Sequence, residues 1–340
     1  MSKLALALFL VSFLSIACPA YASDDNPWVV YDGYKGPGNG KRIVLIAGDE
    51  EYRSEEAMPQ LGKILAVRHG FHCTVLFSVN PKDGTIDPNN QTNIPGLEHL
   101  ESADMMILAL RFRELPDEQM KYIVDFVESG KPILGLRTAT HSFNYKRNKK
   151  SPYANYDFRN REWKGGFGQQ VLGDTWISHH GHHGRESTRG VIDEKYASHP
   201  ILKGVEDIWG KTDVYGVRNL IPEAHVLVHG QVLLGMTPDS KPNTKKKTMP
   251  LIWTKSFTGK KGNTSRIICT TMGASVDLES EGLRRVLVNS CYWGMKMEDK
   301  IPAKSNVNIV GEYKPTMFGF GKFQKGLKPS DHKLKRSKTK

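Results

Sequence analysis

Four histidines, His179, His180, His182 and His183, crowd between Ser178 and Gly184. Imidazole nitrogens at that density could hold Zn²⁺ or another transition metal, or face a substrate and move protons. Gly181 and Gly184 let the backbone curl so that two or three rings converge. On an extended loop, however, neighbouring side chains point apart, and no His-Glu-x-x-His helix accompanies them. His180, His182 and His183 are the expected ligands if a metal such as zinc binds, with His141 the best partner from elsewhere. Nothing in the pattern requires a cofactor, and there is no phosphate-cradling glycine loop.

The second chemically suggestive segment is Gly135-Leu136-Arg137-Thr138-Ala139-Thr140-His141-Ser142. An apolar run that breaks here has the shape of the strand-to-helix elbow on which amidotransferases and hydrolases mount a nucleophile. Those enzymes place Cys or Ser two residues after the glycine. Here Arg137 stands there, always protonated and unable to attack a carbonyl. Glutamine amidotransfer is therefore excluded, because the nucleophilic cysteine is absent. An arginine suits a carboxylate, phosphate or sugar hydroxyl, so Arg137 is expected to bind substrate beside the catalytic candidates Thr138 and His141. Asp213 and Tyr215, two apart, would share one side of an extended segment. That arrangement suits a polyhydroxylated ligand, with Asp213 as an acid/base candidate and Tyr215 as a binder. His199, before Pro200-Ile201, reads as part of a turn.

These residues need a scaffold, and the rhythm of the chain supplies one. Apolar runs at 42–47, 71–77, 103–110 and 132–136 alternate with helical patterns at 55–68 and 115–129. Further strands are expected at 224–229, 249–255 and 266–271, and a closing helix at 279–295. This predicts an α/β, doubly wound, mostly parallel sheet with helices on both faces, flavodoxin-like or class I glutamine amidotransferase-like. Ligands of such sheets sit beyond the carboxyl ends of the strands. Asp49 and Glu50, with Glu51 and Tyr52, would meet Arg111, Arg113 and the elbow there. Asp49, Glu50 and Arg111 are expected to bind substrate.

The ends of the chain carry a different message. Lys3, an apolar run from Leu4 and Ala20-Tyr21-Ala22 follow the plan of an export signal over 1–22. The protein is expected in the periplasm or outside the cell; acylation at Cys18 is the alternative, giving a lipid-anchored form. Residues 23–40 read as a lead-in arm and 41–297 as one domain. Residues 298–340 read as a basic, flexible tail, whose aromatic cluster Met317-Phe318-Gly319-Phe320-Gly321 could still dock on the body. From residue 301 on, nine lysines and Arg336 face Glu312 and Asp331, a local +8 out of a net +12. The body is thus only mildly basic and no nucleic-acid partner is expected, while the tail could hold the protein near anionic envelope polymers. Cys73, Cys269 and Cys291 lie in apolar patterns without metal spacing and are expected buried and unpaired.

In order and spacing, several segments together resemble the trehalose-utilisation (ThuA-like) family, over roughly residues 41–295. They are Ala103-Asp104-Met105-Met106-Ile107, Leu115-Pro116-Asp117-Glu118-Gln119, Phe126-Val127-Glu128-Ser129-Gly130-Lys131-Pro132, the elbow through Phe143, His199-Pro200-Ile201-Leu202-Lys203-Gly204, Asp213-Val214-Tyr215, Pro250-Leu251-Ile252-Trp253 and Arg266-Ile267-Ile268-Cys269-Thr270-Thr271-Met272-Gly273. The resemblance implies the amidotransferase-like fold and carbohydrate metabolism, of trehalose or keto-disaccharides, with a carbohydrate ligand. The chain departs from the family in three places: Arg137 replaces the elbow histidine, Val214 an acidic residue, and Ala274 the histidine of a Gly-His pair. The expected activity is acid/base chemistry on a sugar. A non-catalytic carbohydrate-binding protein and a metal-dependent hydrolase built on the histidine loop are the alternatives.

Overall fold

The computed structural model describes residues 26–334. The expected export signal, with Cys18, lies outside the described residues, as do the last six. Strands β1 (Trp28–Tyr31), β2 (Arg42–Gly48), β3 (His72–Phe77), β4 (Met105–Leu110) and β5 (Ile133–Leu136) come from the first half of the chain. The second half adds β6 (Thr188–Ile192), β7 (Ile208–Gly210), β8 (His225–Val232), β9 (Met249–Thr258) and β10 (Thr264–Thr270). All ten join one sheet in the order β1-β3-β2-β4-β5-β10-β9-β8-β6-β7.

The α/β flavodoxin-like reading holds. Strands β3, β2, β4, β5 and β10 run parallel, as the alternation of apolar runs and helices predicted. Beyond β10 the sheet turns antiparallel through β9, β8, β6 and β7, and β1 adds an antiparallel edge against β3. The sheet is therefore mixed. The parallel strands are buried on both faces, with side chains alternating between two cores. Ile43, Leu45 and Ala47 of β2 join one core, and Val44 and Ile46 the other. Helices α1 (Ser54–His69) and α3 (Glu281–Gly294) cover the first face; α2 (Asp117–Glu128) covers the second.

Helix ends follow local chemistry. Helix α1 stops at Gly70, whose φ of 83° lets its N–H reach back to the Ala66 carbonyl while Phe71 N–H reaches Leu65. Asp117 and Glu118 complement the positive end of α2, and Ser280 caps α3 by accepting from Leu283 N–H.

Two segments differ from expectation. The arm contains β1, which pairs with β3 through Tyr31 and Cys73. The C-terminal segment, expected as flexible, lies packed along the body through its described length. Ile301, Val307, Val310 and Phe318 are buried, and the Tyr313 hydroxyl donates to Ser275 O at 2.7 Å. Apart from short 3₁₀ turns at Glu298–Lys300 and Pro329–His332, the segment is irregular, and its few apolar residues anchor it as a strap. Cys73, Cys269 and Cys291 are buried and unpaired, as expected.

Candidate functional site

At the carboxyl end of β5 the chain turns through Arg137 with a φ of 44°. The left-handed region is costly for a residue with a side chain, roughly 1–3 kcal/mol, and persists only where the surroundings fix it. The elbow geometry is thus kept with arginine at its apex. The Arg137 side chain turns inward. Its guanidinium donates to Asp213 O and Thr271 O, both at 2.7 Å, to Asp213 Oδ1 at 2.9 Å and to Tyr52 Oη at 3.2 Å. It lies 3.7 Å from the centre of the Tyr215 ring and 4.5 Å from that of Tyr52. With 1% of its surface exposed, Arg137 clamps three segments together, and its guanidinium, expected to bind substrate, is engaged by protein groups instead.

The same correction applies to Thr138 and Asp49. The Thr138 hydroxyl donates to Asp49 Oδ2 at 2.7 Å, and Asp49 Oδ1 accepts from the N–H groups of Glu51 and Tyr52. Both side chains are wholly buried. They tie the turn after β2 to the elbow, and neither is placed for catalysis or substrate binding.

Asp213 is the electrostatic centre of the site. Its Oδ2 accepts from His179 Nδ1 at 2.7 Å, and its Oδ1 from His183 Nδ1 at 3.1 Å beside the Arg137 bond. Burial alone would raise this carboxyl. The Arg137 charge and the two imidazole hydrogen bonds outweigh burial and hold it well below the usual carboxylate range. At 1% exposure, with both oxygens engaged by Arg137, His179 and His183, the Asp213 carboxylate is placed to orient the histidines.

The histidine loop divides by alternation. Residues 178–181 run beside 214–216, with His179 bridged to Tyr215 and the N–H of His180 and Gly181 reaching Val214 O. His179 and His183 face inward. His180 instead contacts Lys247 O through Nε2 at 2.8 Å, and His182 is exposed, with its N–H on Glu186. Neither joins the site, so the expected ligand trio survives only in His183. The group with metal-like spacing is His179, His183 and Asp213, one ligand atom from each lying within 4.8 Å of the others. The available signal was that His179 and His183, four residues apart, fall on the same side of an alternating segment.

His141 packs into the same group of rings. Its ring lies 5.0 Å from Trp176, 5.1 Å from Phe112 and 6.2 Å from Tyr215; Trp176 in turn lies 5.9 Å from His179. Burial, reinforced by Arg111, Arg137 and His179, depresses its pKa well below the normal range and keeps the ring neutral. Tyr215 is 3% exposed, and burial keeps its phenol protonated against the pull of Arg137.

On the other rim, Glu50 pairs with Arg111 and with Arg113, the latter at 2.9 Å. Burial raises the Glu50 carboxyl, and the two arginines oppose it. Arg111, 14% exposed at its side chain, also reaches Glu51 at 3.5 Å. Burial likewise raises Glu51, against Arg111. Glu51 Oε1 contacts His183 Nε2 at 3.3 Å, so this imidazole bridges two carboxylates. His179 differs. Its Nδ1 is held by Asp213, no described residue reaches its Nε2, and a third of its side chain is open. Trp176 completes a site of which the sequence pattern indicated Asp213, Tyr215, His141, Glu50, Glu51, Tyr52, Arg111 and, within the histidine cluster, His179 and His183.

The family model for trehalose utilisation (ThuA) matches residues 42–294. Among solved structures, a ThuA-like protein from Parabacteroides merdae is 14% identical, with 86% of this chain and 99% of that one covered at a TM-score of 0.50. A ThuA-like protein from Bacteroides uniformis is 15% identical, covering 77% and 94% at a TM-score of 0.46. The glutaminase domain of Trypanosoma brucei CTPS is 11% identical, covering 78% and 98% at 0.37. No curated protein shows significant sequence similarity.

Proposed function

The chain belongs to the trehalose-utilisation (ThuA) family, and from that premise we propose that it performs acid/base chemistry on a sugar, trehalose or a keto-disaccharide, outside the cytoplasm. The observation that carries this reading is the Asp213–His179 pair. A buried, ionised carboxylate accepts from Nδ1 and leaves Nε2, on a side chain one-third exposed, as the nitrogen that no described residue engages. That is how a histidine is oriented to take a proton from a hydroxyl and return it. His141, buried and neutral between Trp176 and Phe112, backs the wall beside His179. Export rests on the signal-like pattern over 1–22.

Turnover of a disaccharide and keto-disaccharide panel tests the proposal. His179→Ala is expected to lower kcat by about 10²- to 10⁴-fold with the melting temperature nearly unchanged. Full activity in this variant would remove His179 from the mechanism. Binding of sugar without turnover in the unaltered protein would favour a carbohydrate-binding role instead.

A metal-dependent reading has one observation behind it, the convergence of His179, His183 and Asp213. A transition metal such as zinc would take the place of the imidazole protons on that carboxylate. The Arg137 guanidinium, 2.9 Å from the same carboxylate, opposes a dication there. Metal analysis of the purified protein decides: stoichiometric zinc, lost in His179→Ala and His183→Ala, would replace the acid/base reading.

A further inference from the structure

The C-terminal strap lies beyond the family match, which ends at residue 294, yet its aromatic cluster reaches the rim of the site. Phe318 is 4% exposed and packs with Tyr52, Ala274 and Val276. Its ring lies 4.8 Å from that of His183 and 5.4 Å from that of Tyr52. Gly319 is held on both sides of its peptide plane system: its N–H donates to Glu51 O at 2.8 Å, and its carbonyl accepts from Arg53 at 2.9 Å. Upstream, Thr316 is fixed by Glu56 and by Ser275. Phe320 is the outlier. It is 60% exposed, yet its ring is pinned 5.0 Å from the Arg111 guanidinium, which stacks on Phe112 from another side.

We propose that this strap is a wall of the site, in which Phe318 positions His183 and Phe320 presents the ring face against which a sugar stacks. A buried ring against an imidazole restricts its tilt, and so fixes how His183 spans Glu51 and Asp213. An exposed ring beside the Arg111 guanidinium offers a flat apolar face next to a polar anchor. A pyranose has that same pair of surfaces, C–H bonds on one face and hydroxyls around the edge. The Phe320 half rests on the proposed sugar chemistry; the Phe318 half does not.

Two variants of the full chain separate these roles. In Phe318→Ala, and in Phe318→Leu, which keeps apolar volume without a ring, the His183 side-chain ¹⁵N resonances are expected to move. Those of His229, which pairs with Asp193 on the antiparallel half of the sheet, should stay. Phe318→Tyr should restore the His183 signals. Unmoved His183 resonances in the leucine variant would overturn the positioning role. Phe320→Ala should raise KM for the disaccharide that is turned over by about 3- to 10-fold, with kcat and the melting temperature unchanged, and Phe320→Tyr should recover it. An unchanged KM overturns the stacking role alone. Failure of the unaltered protein to bind any sugar of the panel overturns the sugar reading and the stacking role together, while the histidine spectrum still decides Phe318.

Discussion

Asp213 shows how one side chain can be essential to a site without reacting. Its two oxygens serve Arg137, His179 and His183 at once. Asp213→Asn leaves the Arg137 charge buried without its counter-ion and should cost about 3–5 kcal/mol, measured by denaturant melts. His179→Ala should leave stability close to that of the unaltered protein, so loss of activity in the two variants has different origins. A second buried carboxyl behaves in the opposite sense. Asp174 has no countercharge, and burial raises it to about 7. Its ionisation opposes folding, so stability falls as the pH rises from near 4 and levels off above 7. Asp174→Asn should therefore gain on the unaltered protein across that interval, and a pH series of urea midpoints checks it. A flat difference between pH 4 and 8 would rule this out. Asp213 and Tyr215 were legible from their spacing of two. The inward turn of Arg137 was not, since it depends on Asp213 and Thr271, which reach it only through the folded sheet.

Among the elements, the parallel strands and the three helices were the most legible, because apolar runs buried on two faces and capped helices carry strong local signals. Strands β1, β6 and β7 were not. They are short, β6 is partly exposed, and their pairing is imposed by neighbours rather than by their own composition. The loop histidines show the same limit at shorter range: alternation separates His179 and His183 from His180 and His182, but only pairing with 214–216 settles which side faces the site. Helix ends allow a sharper test. At Gly70 a Cβ would stand 2.7 Å from Lys35 O, on a backbone already at φ 83°. Gly70→Ala should cost about 1–3 kcal/mol, read from the shift of the unfolding midpoint. An unchanged midpoint would mean that the turn relaxes.

Across the whole molecule, charge and fold separate. The sequence from residue 301 on carries +8 of the net +12, half of it beyond the described residues, while the sheet is packed through two apolar cores. A basic strap on the surface accounts for the proposed attraction to anionic envelope polymers, which should weaken as salt rises. If export follows the proposed route, mass spectrometry of the secreted protein should find Ser23 as its first residue; an acylated Cys18 would point to the lipoprotein route instead. The three unpaired cysteines carry a consequence for handling. Cys73 sits on β3, Cys269 on β10 and Cys291 on α3, each wholly buried with its thiol pKa raised by burial. A thiol-reactive dye added to the native protein would be admitted only when those elements open, so the modification rate at each cysteine times the loosening of a separate part of the sheet and its covering helix.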